Sequence, residues 1–180
     1  LVGRSHECDY PPDLPPVPPL TRPRLNVNGT SGEIHNEVGA LLEAGLSVYE
    51  VDAESLKALA PDFIVTQTQC DVCAVTPDDL QDALVSYTGR RPEIISLAPV
   101  TLSDVWDSFD ATAAALGVPE QGRALRGGIE ARIDQVQRDI EGLETPSVAC
   151  IEWVEPLMAA GNWIPELVAM AGGNNLFGAP

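Results

Sequence analysis

The residue types with the strongest chemistry in this chain are His6, Cys8, Cys70 and Cys73. Cys70 and Cys73 stand in a C-x-x-C spacing within TQTQCDVCAV, residues 66–75, directly after an apolar run that reads as a strand. One imidazole and three sulfurs make a Cys3His set, of the kind that holds zinc in structural sites. The H-x-C spacing of His6 and Cys8 is short for a zinc finger. A redox pair needs its thiols at a helix N-terminus, where the dipole lowers the thiol pKa. Here the next helix is expected to start later, at Thr76. A disulfide or two half-buried thiols packing the loop is a third reading, and cleft lining is a fourth. The residues leave these open, with the loop expected to line or brace the mouth of a cleft. Cys150, between Ala149 and Ile151, is expected to be core.

Glu7, Asp9, Asp71, Glu152 and Glu155 fall in the same segments as these groups or in EWVEPLMAAGNW, residues 152–163. Paired acids could do general acid–base work, but no nucleophile–base pair accompanies them at a recognisable spacing. Ser5 and His6 are neighbours on an extended end and point apart. His35 lies on a helical stretch and reads as a surface histidine. No glycine-rich phosphate loop occurs. The aromatics say more: Trp153 and Trp163 flank the small-residue run PLMAAGN, and Tyr10 sits in the first loop. Large flat side chains on loops are suited to bulky ligands. Trp163, beside Gly161 and Asn162 at a helix start, is the better candidate. Trp106 is expected to be core.

These residues need elements to position them. Residues 1–4 read as the end of a short strand. Residues 10–25 carry seven prolines, a density that favours an extended surface segment over helix or central strand. A helix at 33–45, capped by Ser31, places Ile34, Val38, Leu41 and Leu42 on one face. A strand-like piece at 46–51 and a short helix at 54–60 follow. DFIVTQ, 62–67, is the clearest buried strand. TPDDLQDAL opens a helix with Thr76 as cap and Pro77 first. EIISL, 93–97, is a strand, and 101–116 is a helix stopped by Gly117.

The longest helical pattern runs from 119 to 143, with Leu125, Ile129, Ile133, Val136 and Ile140 at steps of three or four. Gly127–Gly128 within it allow a bend or close packing. SVACIEWV, 147–154, reads as one strand, and 164–171 as a helix closed by Gly172–Gly173. Strand–helix alternation argues an α/β fold with mostly parallel sheets. The single apolar stripe of the long helix suits a strut lying across other elements. The expected division is a first lobe at 1–118, an interlobe helix at 119–144 and the start of a second lobe at 145–180. With one strand and one helix expected after the strut, that second lobe reads as truncated.

Bulk properties narrow the function further. The 180 residues include 10 Lys and Arg against 27 Asp and Glu, giving a net charge of −17. A field of that sign repels phosphate backbones, so nucleic acid is not an expected partner, while a cationic docking surface suits it. No apolar run approaches the ~18 residues of a membrane span, and the first residues have no signal-peptide pattern. Four cysteines are too few for a disulfide scaffold.

Three stretches, LVGRSHECDYPP, LKALAPDFIVTQ and GNWIPELVAMAGGNNLFG, occur in order along the chain. Together they resemble the cobalamin and ferric-siderophore class of ABC-transporter substrate-binding proteins, class III periplasmic binding proteins, with the cobalamin-binding (BtuF-like) branch nearest. The resemblance implies two Rossmann-like lobes with parallel sheets joined by a long rigid helix, with ligand held between them. It implies a non-enzyme, a monomer without a required cofactor, that captures cobalamin or a similar large metal-chelate and meets an ABC permease in the membrane. The location implied is periplasmic or attached to the cell envelope. Tyr10, Gln67, Trp153 and Trp163 match positions implied to line the ligand site, and Cys70 and Asn162 join them as candidates from their loops. The C-D-V-C loop departs from the family pattern. The resemblance also places a first strand and helix before Leu1 and further strands after Pro180, so the chain reads as an internal piece of a longer protein. The alternative is a zinc-binding protein or thiol-dependent enzyme built on Cys8, Cys70 and Cys73, with His6 completing the metal set.

Overall fold

The computed structural model describes residues 1–68, 75, 77–84 and 90–177. Contacts divide the chain into two compact units, Leu1–Leu97 and Ala98–Pro180.

In the first unit, the proline-rich segment runs extended and supplies a strand, β1 (Thr21–Pro23), that pairs antiparallel with β2 (Tyr49–Val51). Proline cannot donate to a ladder, so a strand ending in Pro23 suits this two-stranded pairing. Arg4 forms a single parallel bridge to Pro19, which is what remains of the strand end expected at 1–4. Helix α1 (Ser31–Glu43) begins at the residue expected to cap it, and its cap lies one residue earlier. Thr30, not Ser31, is the N-cap: its hydroxyl accepts from the Glu33 amide, and the Glu33 carboxylate accepts from the Thr30 amide at 2.7 Å. The glutamate three residues on completes a capping box around Thr30, and Ser31 has no such partner.

Helix α2 (Ala53–Leu59) is capped by Asp52, and β3 (Phe63–Gln67) pairs parallel with β4 (Glu93–Leu97), Phe63 facing Glu93 and Gln67 facing Leu97. The expectation of a buried β3 is corrected: the strand is half-buried, and Val65 is exposed. Its residues other than Val65 are half-buried, a gradation that an unbroken apolar run does not reveal. Helix α3 (Pro77–Leu84) starts at the expected proline. Its Leu80 and Leu84 are buried, as are Val48, Leu56 and Ile95 in this unit.

The second unit opens with α4 (Leu102–Ala115), capped by a Thr101–Asp104 box and ended at Gly117 with φ +71°. It packs on α5 (Pro119–Asp139). Helix α5 is four residues shorter than expected, because Ile140 caps it and Gly142 turns the chain at φ +78°. Its close packing also lies elsewhere than expected. A Cβ at Gly127 or Gly128 would meet nothing, whereas one at Gly122 would sit 2.4 Å from the Ala113 Cβ. The missing side chain at Gly122 lets the two helices touch. Arg126 then ties them, its Nη1 donating to Asp110 at 2.7 Å and its Nε to Glu130 at 2.8 Å.

The run SVACIEWV is two strands rather than one. β5 (Ser147–Val148) pairs parallel with β8 (Asn174–Asn175), and β6 (Ile151–Val154) turns back through Glu155 and Pro156 to pair antiparallel with β7 (Leu157–Ala159). Ala149 and Cys150 lie between the two strands, the Cys150 carbonyl accepting from the Ala160 amide at 3.0 Å, and Cys150 is half-buried and not core. Trp106 is likewise half-buried, its ring 5.7 Å from that of Phe109. Helix α6 (Ile164–Met170) ends at Gly172, φ +80°. A Cβ on Gly173 would lie 2.8 Å from Val148 Cγ2 and 2.9 Å from Val168 Cγ1. The paired glycines thus serve a left-handed turn and then a close approach of backbone to β5. Four short strands follow α5, not the single one expected. The fold is mixed α/β, with two parallel and two antiparallel ladders among the described residues.

Candidate functional site

The first loop of the N-terminal unit is built around one hydroxyl. Thr21 Oγ1, on β1, accepts from the His6 amide at 3.0 Å and lies 2.7 Å from His6 Nδ1 and 3.1 Å from Ser5 Oγ. A hydroxyl has one proton and two lone pairs. With the His6 amide on one lone pair, the Thr21 hydroxyl can accept from one of the two side chains and donate to the other. Ser5 Oγ also accepts from the Glu7 amide at 3.3 Å. The His6 ring packs 5.5 Å from the ring of Tyr49 on β2. Tyr49 in turn donates its O–H to Glu7 Oε1 at 3.0 Å. Burial of the phenol, then its hydrogen bond and proximity to Glu7, push the Tyr49 pKa up to about 12. Arg4 Nη1 donates to the Cys8 carbonyl, and Cys8 itself is an exposed free thiol. Tyr10 follows at 81% exposure, with no packing to account for it.

Gln67 closes β3 at the carboxyl end of the parallel pair, the end where ligands sit in open α/β sheets. Beside it the Thr68 amide donates to the Leu97 carbonyl at 2.7 Å, and Ser96 Oγ donates to Thr68 Oγ1 at 3.3 Å. Cys70 and Cys73 lie outside the described residues. Among the described residues no group of three or more His, Cys, Asp or Glu could hold a metal ion.

In the second unit, Trp153 lies on β6, half-buried, its Nε1 donating to the Glu155 carbonyl at 2.8 Å. That bond fixes the indole against the turn of the β6–β7 hairpin. Around it Ile151, Val154, Leu157 and Met158 are exposed. Asn162 takes a left-handed conformation, φ +52°, which its short polar side chain tolerates. Trp163 then caps α6 without a side-chain hydrogen bond. The start of α6 is anchored by Glu166, whose Oε1 accepts from the Leu102 amide at the first turn of α4, 2.9 Å away.

The structure thus brings His6, Glu7 and Cys8 into one loop with Tyr10, and Trp153, Asn162 and Trp163 into one stretch of the second unit. Thr21, Tyr49 and Glu166 were not singled out from the sequence. Tyr49 and Glu7 are 42 residues apart, and no local pattern marks either as a partner. Within each unit the described groups are aromatic rings and a few polar atoms, residue types suited to non-covalent binding.

No family model matches the chain, and no curated protein matches it. Solved structures do. The chain is similar to the periplasmic vitamin B12 binding protein BtuF of Vibrio cholerae, at 18% identity over 100% of this chain and 58% of that one, TM-score 0.61. It is similar to the periplasmic heme-binding protein BhuT, at 17% identity over 100% of this chain and 59% of that one, TM-score 0.63. It is also similar to the periplasmic heme-binding protein RhuT from Roseiflexus sp. RS-1, at 21% identity over 97% and 56%, TM-score 0.60. The chain therefore spans less than two thirds of the length of these neighbours. All three are binding proteins, as the expectation of a non-enzyme requires, and none supports a zinc or thiol enzyme. The fold of this chain is that of the class III periplasmic binding proteins.

Proposed function

We propose that this chain serves as substrate-binding protein of an ABC importer and captures a large metal-chelate, cobalamin first and heme second. Supporting this is a single observation: the chain matches a vitamin B12 binding protein and a heme-binding protein over its whole length. Tyr10 and Gln67 of the first unit and Trp153, Asn162 and Trp163 of the second are the proposed contacts, with Cys70 of the C-D-V-C sequence a further candidate. The division into lobes at 1–118 and 145–180 with a helix at 119–144 belongs to the same reading. So do an ABC permease as the membrane partner, a monomeric state and a periplasmic or envelope-attached location.

Flat aromatic rings supply area to a macrocycle, and a few polar groups orient it. The acidic loops rank the two ligands, because a chelate bearing carboxylates meets like charge there. The test is tryptophan fluorescence of the full-length protein titrated with cobalamin and with heme. Quenching is expected with both, and cobalamin binds more tightly. Trp163→Ala weakens binding about tenfold or more, roughly 1.4 kcal/mol. A protein whose fluorescence responds to neither chelate does not have this function.

A further inference from the structure

We infer that Tyr49, through its hydrogen bond to Glu7, is a positioning residue that anchors the loop of residues 5–10 and so sets where Tyr10 stands for ligand. The part concerning Tyr10 rests on the chelate-binding reading above; the anchoring does not. The geometry behind it is specific. Tyr10 is 81% exposed and so has little packing of its own to place it. Its loop is instead held from two strands that pair with each other. Thr21 on β1 takes the His6 amide and ring, while Tyr49 on β2 takes the Glu7 carboxylate and stacks at a tilt against His6. Arg4, itself bridged to Pro19, donates to the Cys8 carbonyl. The loop is therefore fixed by polar contacts at Ser5, His6, Glu7 and Cys8, and Tyr10 emerges two residues beyond the last of them.

Of these contacts, the one from Tyr49 can be removed without disturbing a backbone partner. Tyr49→Phe keeps the ring against His6 and deletes only the O–H. Two readouts on the full-length protein test the idea: cobalamin affinity, and amide hydrogen exchange along the chain. In Tyr49→Phe, exchange at residues 5–8 is expected to quicken while that of β3 and β4 stays unchanged, and affinity falls roughly three- to tenfold. Glu7→Ala should match it, and Glu7→Gln, whose amide oxygen still accepts the phenol proton, should lose less. In a Tyr10→Ala background Tyr49→Phe should cost no further affinity, a coupling that a general loss of stability does not produce. Unchanged exchange at residues 5–8 overturns the inference whatever the affinity, and so does quickened exchange with unaltered affinity. If the unsubstituted protein binds no chelate, quickened exchange leaves the anchoring standing and removes only the ligand reading.

Discussion

Replacing Gly122 by alanine should destabilise the second unit, although the same change at Gly127 should stabilise it. In a helix interior alanine is favoured over glycine by about 1 kcal/mol. At Gly127 that gain stands alone, since a Cβ there meets nothing within 4 Å. At Gly122 the new Cβ would lie 2.4 Å from the Ala113 Cβ, where ordinary contact begins at 3.4 Å. Helices α4 and α5 would have to part by about an ångström, and overpacking of this kind costs about 1–3 kcal/mol. The net for Gly122→Ala is a loss of up to about 2 kcal/mol, so the two alanine variants should differ by about 1–3 kcal/mol. The swap Gly122→Ala with Ala113→Gly restores the gap, and its two propensity terms cancel, so it should return close to the parent. Urea unfolding is the assay, read as a midpoint shift at constant slope. Should Gly122→Ala stabilise as Gly127→Ala does, the close crossing of α4 and α5 is not where the structure puts it.

Two more outcomes follow from named contacts. Glu166→Ala leaves the Leu102 amide at the start of α4 without its acceptor, so stability should fall by about 1–3 kcal/mol in urea unfolding, with Glu166→Gln milder. An equal loss in both would place the effect elsewhere. Alkaline pH should act through Tyr49, whose pKa is pushed up to about 12 from 10.0. A raised pKa means the folded chain holds the phenol proton more tightly, so this stabilisation is complete below pH ~10 and is lost as pH rises towards about 12. The shift alone would give roughly 2.7 kcal/mol, and solvent screening of this partly exposed group cuts it to about 1. Tyr49→Phe should lack this part of the pH dependence, and an identical profile in that variant would refute the assignment.

What could be read from the sequence was local. Asp62 to Gln67, Glu93 to Leu97, the Pro77 start of α3 and the Gly117 stop of α4 were legible because each signal lies within a few residues of the feature it controls. The boundary at Thr30 was displaced by one residue because the box depends on which hydroxyl lies three residues before Glu33. The failures are long-range. Nothing in SVACIEWV announces that Val148 pairs with Asn175 while Trp153 pairs with Met158, since both partners come later in the chain. Two short strands with different partners look from within like one longer strand. The candidate site divides in the same way. Tyr10, Trp153 and Trp163 stand out by residue type, but nothing in the sequence marks the bonds near them, from Tyr49 to Glu7, from His6 to Thr21, from the Leu102 amide to Glu166 and from Trp153 to the Glu155 carbonyl.

Identity of 17–21% carries a fold without a ligand, because the loops that touch a ligand vary while the sheets behind them persist. Choosing between chelates therefore falls to the chemistry of the loops. In residues 1–13 the acids are Glu7, Asp9 and Asp13 and the only lysine or arginine is Arg4, which donates from Nη1 to the Cys8 carbonyl and keeps its charge. Residues 150–163 contain Glu152 and Glu155 and no lysine or arginine. Further back, Arg22 is paired with Glu50 at 2.6 Å, and Arg24 donates to the Tyr49 carbonyl. A ligand carboxylate about 5 Å from one of the loop acids would meet a repulsion of roughly 3 kcal/mol at an effective dielectric near 20. Heme carries two propionates, and of the lysines and arginines in these two loops only Arg4 is there to meet them. A corrin ring is edged with carboxamides, whose N–H groups can donate to those same acids. On the chelate-binding reading proposed above, the excess of acids in these loops favours the amide-edged macrocycle over the acid-edged one.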